Sequence, residues 1–193
     1  MGLLDCLRVR THLQMRIAVS GTHCIGKSTL IDEFLRAHRN FTHEPEPYAV
    51  LVEDFGEEFS AEPSVEDSYR QLEFNIDRLK RYAPEERVIY ERCPIDFLAY
   101  ITALDPQAAE AALSLVSNAI QHLDLILYLP LNNDDNNDAE YPKLRKAVDR
   151  QLSAVFRDDE FEIISSTNVI VAEANGSTSK RLRTLEAAMN QLI

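Results

Sequence analysis

The chain contains no tryptophan, and only five glycines and three cysteines among its 193 residues. No apolar run approaches the ~20 residues that a membrane-spanning helix requires. Met1 to His12 has neither a long apolar stretch nor a small-residue cleavage site, so it does not read as a secretory signal. Gly2 lacks the downstream Ser or Thr of a myristoylation signal. Cys6, Cys24 and Cys93 are too few, and odd in number, for a disulfide framework, and no C-x-x-C or Cys/His cluster suggests zinc. Reduced thiols and a cytoplasmic protein are the expectation. Positive charge is scarce as well: 20 Lys and Arg stand against 32 Asp and Glu, for a net charge of −12. That balance disfavours nonspecific binding to nucleic acid or anionic lipid. With no internal repeat, no Gly/Ser linker and 45% hydrophobic residues, the chain reads as one globular domain, acting as a monomer or homodimer.

Against this background, residues 21–28 stand out. Gly21-Thr22-His23-Cys24-Ile25-Gly26-Lys27-Ser28 fits G-x-x-x-x-G-K-[ST] at every fixed position. In such a loop the glycines allow a tight turn with inward-facing N–H groups, and the following helix adds its positive end, so the whole forms an anion site. Lys27 is expected to reach the β- and γ-phosphates of ATP, and Ser28 to ligate Mg²⁺ through its hydroxyl. Thr29 extends the helix start. The flanks agree: Met15 to Ser20 is a short β-branched apolar run, and Leu30, Ile31, Phe34 and Leu35 fall on one helical face. Residues 1–14 precede that first strand and read as a short extension or the product of an upstream start codon.

Further along, apolar strands are expected near 40–43, 87–90, 124–129 and 168–173. They alternate with helices over 48–59 (broken at Gly56), 64–84, from Pro94, from Asp105, 142–156 and 177–192. That alternation, with strands apolar on both faces, predicts a three-layer α/β fold: a five-stranded parallel sheet with helices on both sides. Ligands then bind beyond the carboxyl ends of the strands. There the candidates are Glu44 and Glu46 as a base for an attacking hydroxyl, with Glu44 favoured because it closes the run. Glu91 follows as a metal ligand beside Ser28, with Arg92 next to it to hold the acceptor or a phosphate, and Asp96, in the following helix, to face the same pocket. Arg145 and Arg150 lie on a basic helix after a polar Asn/Asp run, within a mobile-lid region over about 131–157. Arg70, Arg78 and Arg81 could grip an acceptor phosphate. His23, Cys24 and Cys93 read as fillers. From Glu44 to Tyr69 there are nine acidic residues and no Lys or Arg, either a solvated surface or a rim that repels wrong anions.

The phosphate loop, Glu44-Pro-Glu-Pro-Tyr48, Glu91-Arg-Cys-Pro-Ile-Asp-Phe97, Asp124-Leu-Ile-Leu-Tyr-Leu-Pro130 and Leu144-Arg-Lys-Ala-Val-Asp-Arg150 together resemble the AAA-type phosphate-loop group related to ribosylnicotinamide kinase. They are also similar to the deoxyribonucleoside and thymidylate kinases. The resemblance implies a base at Glu44 or Glu46 and lid arginines at Arg145 and Arg150, and it matches an Asp/Glu-Arg-Ser motif to Glu91-Arg92-Cys93. Cys93 replaces the Ser of the kinase motif. No Trp follows the Glu-Pro pair, so Tyr48 is the candidate to stack on a nucleoside. The expected activity is Mg-ATP-dependent transfer of the γ-phosphate to a small-molecule acceptor, a nucleoside, nucleotide or related hydroxyl compound. The alternatives are a regulatory AAA-type ATPase acting through a partner, or a binder that has lost catalysis. A GTPase would need Asn-Lys-x-Asp and Asp-x-x-Gly, and neither is present.

Overall fold

The computed structural model describes residues 15–82, 86–132 and 140–192. The extension at 1–14 and the polar run at 133–139 lie outside the described residues, as does the expected helix end at Pro84. Five strands, β1 (Met15–Ser20), β2 (Thr42–Glu44), β3 (Arg87–Glu91), β4 (Leu125–Tyr128) and β5 (Ile170–Glu173), form one sheet in the order β2-β3-β1-β4-β5. Every neighbouring pair is parallel. The expected α/β architecture is what the chain adopts.

Burial explains the order. Strands β1 and β4 are buried along their whole length and β3 nearly so, whereas edge strands β2 and β5 are partly open. The expectation of two apolar faces therefore holds for the centre and fails at the edges, where one flank has no neighbouring strand. On one face, Ala18, Val88, Tyr90 and Ile126 pack with α3 (Val65–Arg81), α4 (Pro94–Leu104), α5 (Ala109–Ile120) and α6 (Pro142–Asp158). On the other, Ile17, Val19, Ile89 and Leu127 pack with α1 (Lys27–Ala37) and α7 (Thr178–Met189). No helix of the described residues is long and apolar enough to cross a membrane.

Two helix boundaries differ from the sequence pattern. The helix after β2, α2 (Pro47–Glu53), stops short of Phe59: Gly56 takes a left-handed φ of 68° and the Glu57 N–H bonds to the Leu51 carbonyl at 2.9 Å. Helix α5 starts at Ala109 rather than Asp105, because Asp105 caps α4 and accepts the Gln107 N–H at 2.9 Å, a local turn that competes with helix. The N-terminus of α3 matches its capping signal, with Ser64 Oγ accepting the Asp67 N–H at 3.1 Å.

Because all strands run the same way, Ser20, Glu44, Glu91 and Tyr128 reach one edge, with Val19 level with Glu91 and Glu44 level with Tyr90. Arg78, from α3, fixes that edge from within. It is fully buried, and its guanidinium donates to the carbonyls of Pro45 and Glu91 and, at 3.4 Å, of Arg92. Burial pulls its pKa down to about 10 even with Glu44 nearby. Replacing Arg78 with Met leaves those buried acceptors unpaired and is expected to lower stability by about 3 kcal/mol. Urea unfolding measures this, and a loss within the error of the method contradicts the role.

Candidate active site

The phosphate loop leaves β1 at Gly21, whose φ is 148°; a Cβ there would lie 2.7 Å from the Leu129 carbonyl oxygen, so no side chain fits. Gly26 takes a left-handed φ of 88° as the N-cap of α1, and no side chain caps that terminus. Ile25 is buried and anchors the loop in the core beneath it. Lys27 is buried too, its Nζ donating to the Thr22 carbonyl at 3.0 Å. Burial and the charge of Arg92 bring its ammonium down to about 8, against the pull of Glu46, Glu91 and Asp96. Thr29 stays exposed at the helix start.

Ser28 donates its hydroxyl to Glu91 Oε1 at 2.9 Å. The two oxygens read from sequence as metal ligands are therefore in contact at the mouth of α1. Oxygen donors of this kind suit Mg²⁺, which takes few protein ligands and completes its shell with water and substrate phosphate. Ser28 and Glu91 would hold it. Among the described residues no cluster of three or more His, Cys, Asp or Glu side chains offers a different metal site.

Arg92 follows Glu91 in a left-handed backbone conformation, φ 71°, which turns its side chain back beneath the loop. It is buried, with Nε on Glu46, Nη1 donating to the Gly21 carbonyl at 3.2 Å, and the guanidinium 5.4 Å from the Tyr100 ring centre. Burial disfavours its charge, but Glu46 and Asp96 outweigh that and hold its pKa above the ordinary value. Asp96, fully buried, accepts the Gly21 N–H at 2.9 Å and the Cys93 N–H at 2.8 Å, so it braces the loop and the start of α4. Cys93 is buried at that N-cap, its thiol pushed well above the ordinary range by burial and by Asp96.

The two acidic candidates after β2 part company. Glu44 is buried toward Tyr82, whose hydroxyl donates to it, with Arg78 and Arg81 each 3.9 Å away. Glu46, one residue beyond Pro45, turns the other way onto Arg92 and lines a cavity of about 500 Å³. Glu44 does not line it, so the preference for Glu44 is reversed. The reason is local: Pro45 and the α2 start at Pro47 break the strand, and Glu46 becomes the N-cap of α2 with φ −56° and ψ 130°. Burial alone would raise the Glu46 carboxyl, but Arg92 and Lys27 hold it at about 2.

Tyr48, Phe59, Phe97, Tyr100 and Tyr141 form much of the cavity wall, with Gln71 and three serines among the polar lining. Tyr48 leans against Phe59, their ring centres 5.1 Å apart. Of the two expected lid arginines, Arg145 is buried and donates to the loop carbonyls of His23 at 3.0 Å and Cys24 at 3.4 Å. Arg150, five residues on, falls about 140° around the helix and is exposed. His23 is more than a filler: its Nε2 faces the Glu140 carbonyl at 2.7 Å and therefore carries the proton, and Nδ1 faces the Tyr100 hydroxyl at 3.0 Å. Burial and the nearby Arg92, Arg145 and Lys27 keep the ring's pKa low. Cys24 is exposed at φ 57°. Sequence reasoning missed Arg181, which reaches from α7 to donate to the Ile25 carbonyl at 2.6 Å. A contact to backbone across 156 positions leaves no mark in the residue pattern.

The comparisons accord with this geometry. The model of an AAA domain family matches residues 16–173. The chain belongs to the AAA domain family. Two solved structures of NadR protein share the fold of this AAA domain. One, in complex with NR, aligns with a TM-score of 0.64 and 17% identity, covering 94% of this chain and 52% of that one. The other, in complex with NAD and AMP-PNP, aligns with a TM-score of 0.64 and 20% identity, covering 94% and 50%. The AAA domain thus spans about half the length of these proteins. No curated protein sequence matches it.

The Glu46–Arg92 pair has a measurable consequence. Glu46 ionises at about 2 in the folded protein against an ordinary 4.5. Its stabilisation is therefore complete above pH 4.5, shrinks as the pH falls from 4.5 because the unfolded chain takes up the proton first, and is lost once the pH has fallen through 2. Wild type is expected to exceed Glu46→Gln in unfolding free energy at neutral pH, and the gap to narrow as acid protonates Glu46. Urea titrations at pH 7 and pH 3 measure it; a constant gap contradicts the assignment.

Proposed function

We propose that the protein transfers the γ-phosphate of Mg-ATP to a hydroxyl group of a small-molecule acceptor of the nucleoside, nucleotide or riboside kind. The observation that carries this reading is Glu46: a carboxylate on the wall of an aromatic cavity of about 500 Å³, close enough to Lys27 for each charge to shift the other's proton affinity. A cavity of that size suits a small ligand. NadR protein, which shares this fold over about half its length, has been solved in complex with NR and in complex with NAD and AMP-PNP, ligands of the class proposed here.

In this reading the loop N–H groups and Lys27 hold the donor phosphates, while Ser28 and Glu91 hold the metal. Bound Mg²⁺ would neutralise charge on the transferring group. Glu46 orients the acceptor hydroxyl and takes its proton. A carboxylate held near 2 is a weak base, and a loose phosphoryl-transfer transition state asks for little more, since the oxygen sheds its proton late. Arg145, which bonds to the loop carbonyls of His23 and Cys24, is the lid arginine that would act on the donor phosphates, whereas Arg150 is exposed on another face of the helix.

Steady-state kinetics with ATP and an accepting riboside tests this. Lys27→Ala is expected to abolish transfer. Glu46→Gln is expected to lower kcat by about 10²- to 10⁴-fold with little change in the KM for ATP. Arg145→Ala should slow turnover and Arg150→Ala should not. Full activity in Glu46→Gln contradicts the assignment of the base.

A further inference from the structure

The start of α6 holds His23 at both ends. The Glu140 carbonyl accepts from the ring at Nε2, 2.7 Å away, and Arg145, five residues further on, donates from Nε to the His23 carbonyl at 3.0 Å. On its other edge the ring accepts the Tyr100 hydroxyl at Nδ1, at 3.0 Å. Tyr100 is set in turn by Arg92, whose guanidinium lies 5.4 Å from its ring centre and whose Nη1 donates to the Gly21 carbonyl. A chain of contacts thus leaves the phosphate loop at Gly21, returns to it at His23 and continues into α6.

An imidazole suits this place. The neutral ring carries a donor on one edge and an acceptor on the other, so it takes a hydroxyl from α4 and gives an N–H to the start of α6. Burial, with Arg92, Arg145 and Lys27 nearby, keeps it in that neutral form. The carbonyl it holds belongs to a strained turn. Tyr141, the N-cap of α6, sits at φ 51° and ψ 56°, a left-handed conformation that an aromatic residue keeps only where its surroundings fix it. One tie on this turn is His23 at the Glu140 carbonyl; another is the Tyr141 hydroxyl, which donates to the Ala61 carbonyl at 2.9 Å. Glu140, Tyr141 and Leu144 line the cavity, and Arg145 follows on the same helix.

The His23 peptide is part of the turn whose N–H groups would face a phosphate. A shift of that turn moves the ring and the carbonyl together and reaches α6 through two bonds at once. We propose that His23 is the positioning residue through which a nucleotide on the phosphate loop sets the start of α6, and with it Arg145 and one wall of the cavity. The proposal rests on the kinase reading above only for the occupant of the loop; neither the role of Glu46 nor the acceptor enters it. Coupling of this kind is reciprocal, so an α6 held in place by His23 favours the nucleotide by the same factor.

Hydrogen exchange on the full chain, read by mass spectrometry, tests this without turnover. Saturating Mg²⁺ and a nonhydrolysable ATP analogue are expected to slow exchange over residues 143–150. In His23→Ala, with the analogue still saturating, that slowing should fall by about half or more. His23→Gln keeps a donor for the Glu140 carbonyl and should restore part of it. Tyr100→Phe, which removes only the hydroxyl, should weaken it in the same direction. Calorimetric titration with the analogue reads the reciprocal effect, an affinity about fivefold lower in His23→Ala. Combined with Arg145→Ala, the loss should be smaller than the product of the single losses, because both variants cut the same link. A wild-type α6 that ignores the analogue, equal slowing in wild type and His23→Ala, a glutamine variant no better than alanine, or losses that multiply overturns the proposal. An α6 that answers the analogue through His23 in a chain that phosphorylates no acceptor upholds it and contradicts the kinase reading. Transfer by a chain whose α6 ignores the loop does the reverse.

Discussion

The site depends on one buried cation. Arg92 leaves β3 in a left-handed turn and brings three parts of the chain to a single guanidinium: the Gly21 carbonyl of the phosphate loop, Glu46 after β2, and Asp96 of α4. An arginine stripped of water is costly unless its donors are filled and its charge is met. Here carboxylates and a carbonyl do both. The same bonds fix the distance between the turn that grips phosphate and the carboxylate that faces the cavity. Lysine, a point charge without the planar fork, would not span these partners.

Charge is divided along this hinge. On the loop side, Lys27 gives up part of its proton affinity to burial, and an anion beside it would restore it. Arg145 and Arg181 hold the loop carbonyls of His23, Cys24 and Ile25. On the cavity side the walls are aromatic, and Asp67 and Glu140 add carboxylates to the Glu46–Arg92 pair. His23, a variable position of the loop motif, bridges the two halves by binding Tyr100 of α4 and the Glu140 carbonyl just before α6.

Much of this was legible in the sequence. The fixed residues of the loop are spaced by backbone geometry, so they announce the phosphate-loop turn, and the alternation of apolar strands with helices announces the parallel sheet. The end of β3 was legible for the same reason: Glu91 had to meet Ser28, and does so at 2.9 Å. What remained hidden were choices between near neighbours. Glu44 and Glu46 differ by one position, and the prolines around them, not any strand alternation, decide which faces the cavity. Arg145 and Arg150 share a helix, and only the helix's packing against the loop separates them. Asp96 looked like a pocket residue and instead holds backbone N–H groups. Arg181 and His23 bond to backbone carbonyls, which every residue carries and no motif records.

The central claim is that the site moves a phosphoryl group to a hydroxyl acceptor rather than to water. Incubation with Mg-ATP in ¹⁸O-labelled water, with a panel of nucleosides and ribosides, separates the two by mass spectrometry. The account predicts a phosphorylated acceptor free of the label, formed in step with ADP. ADP formed only together with labelled inorganic phosphate, with every acceptor left intact, would contradict it.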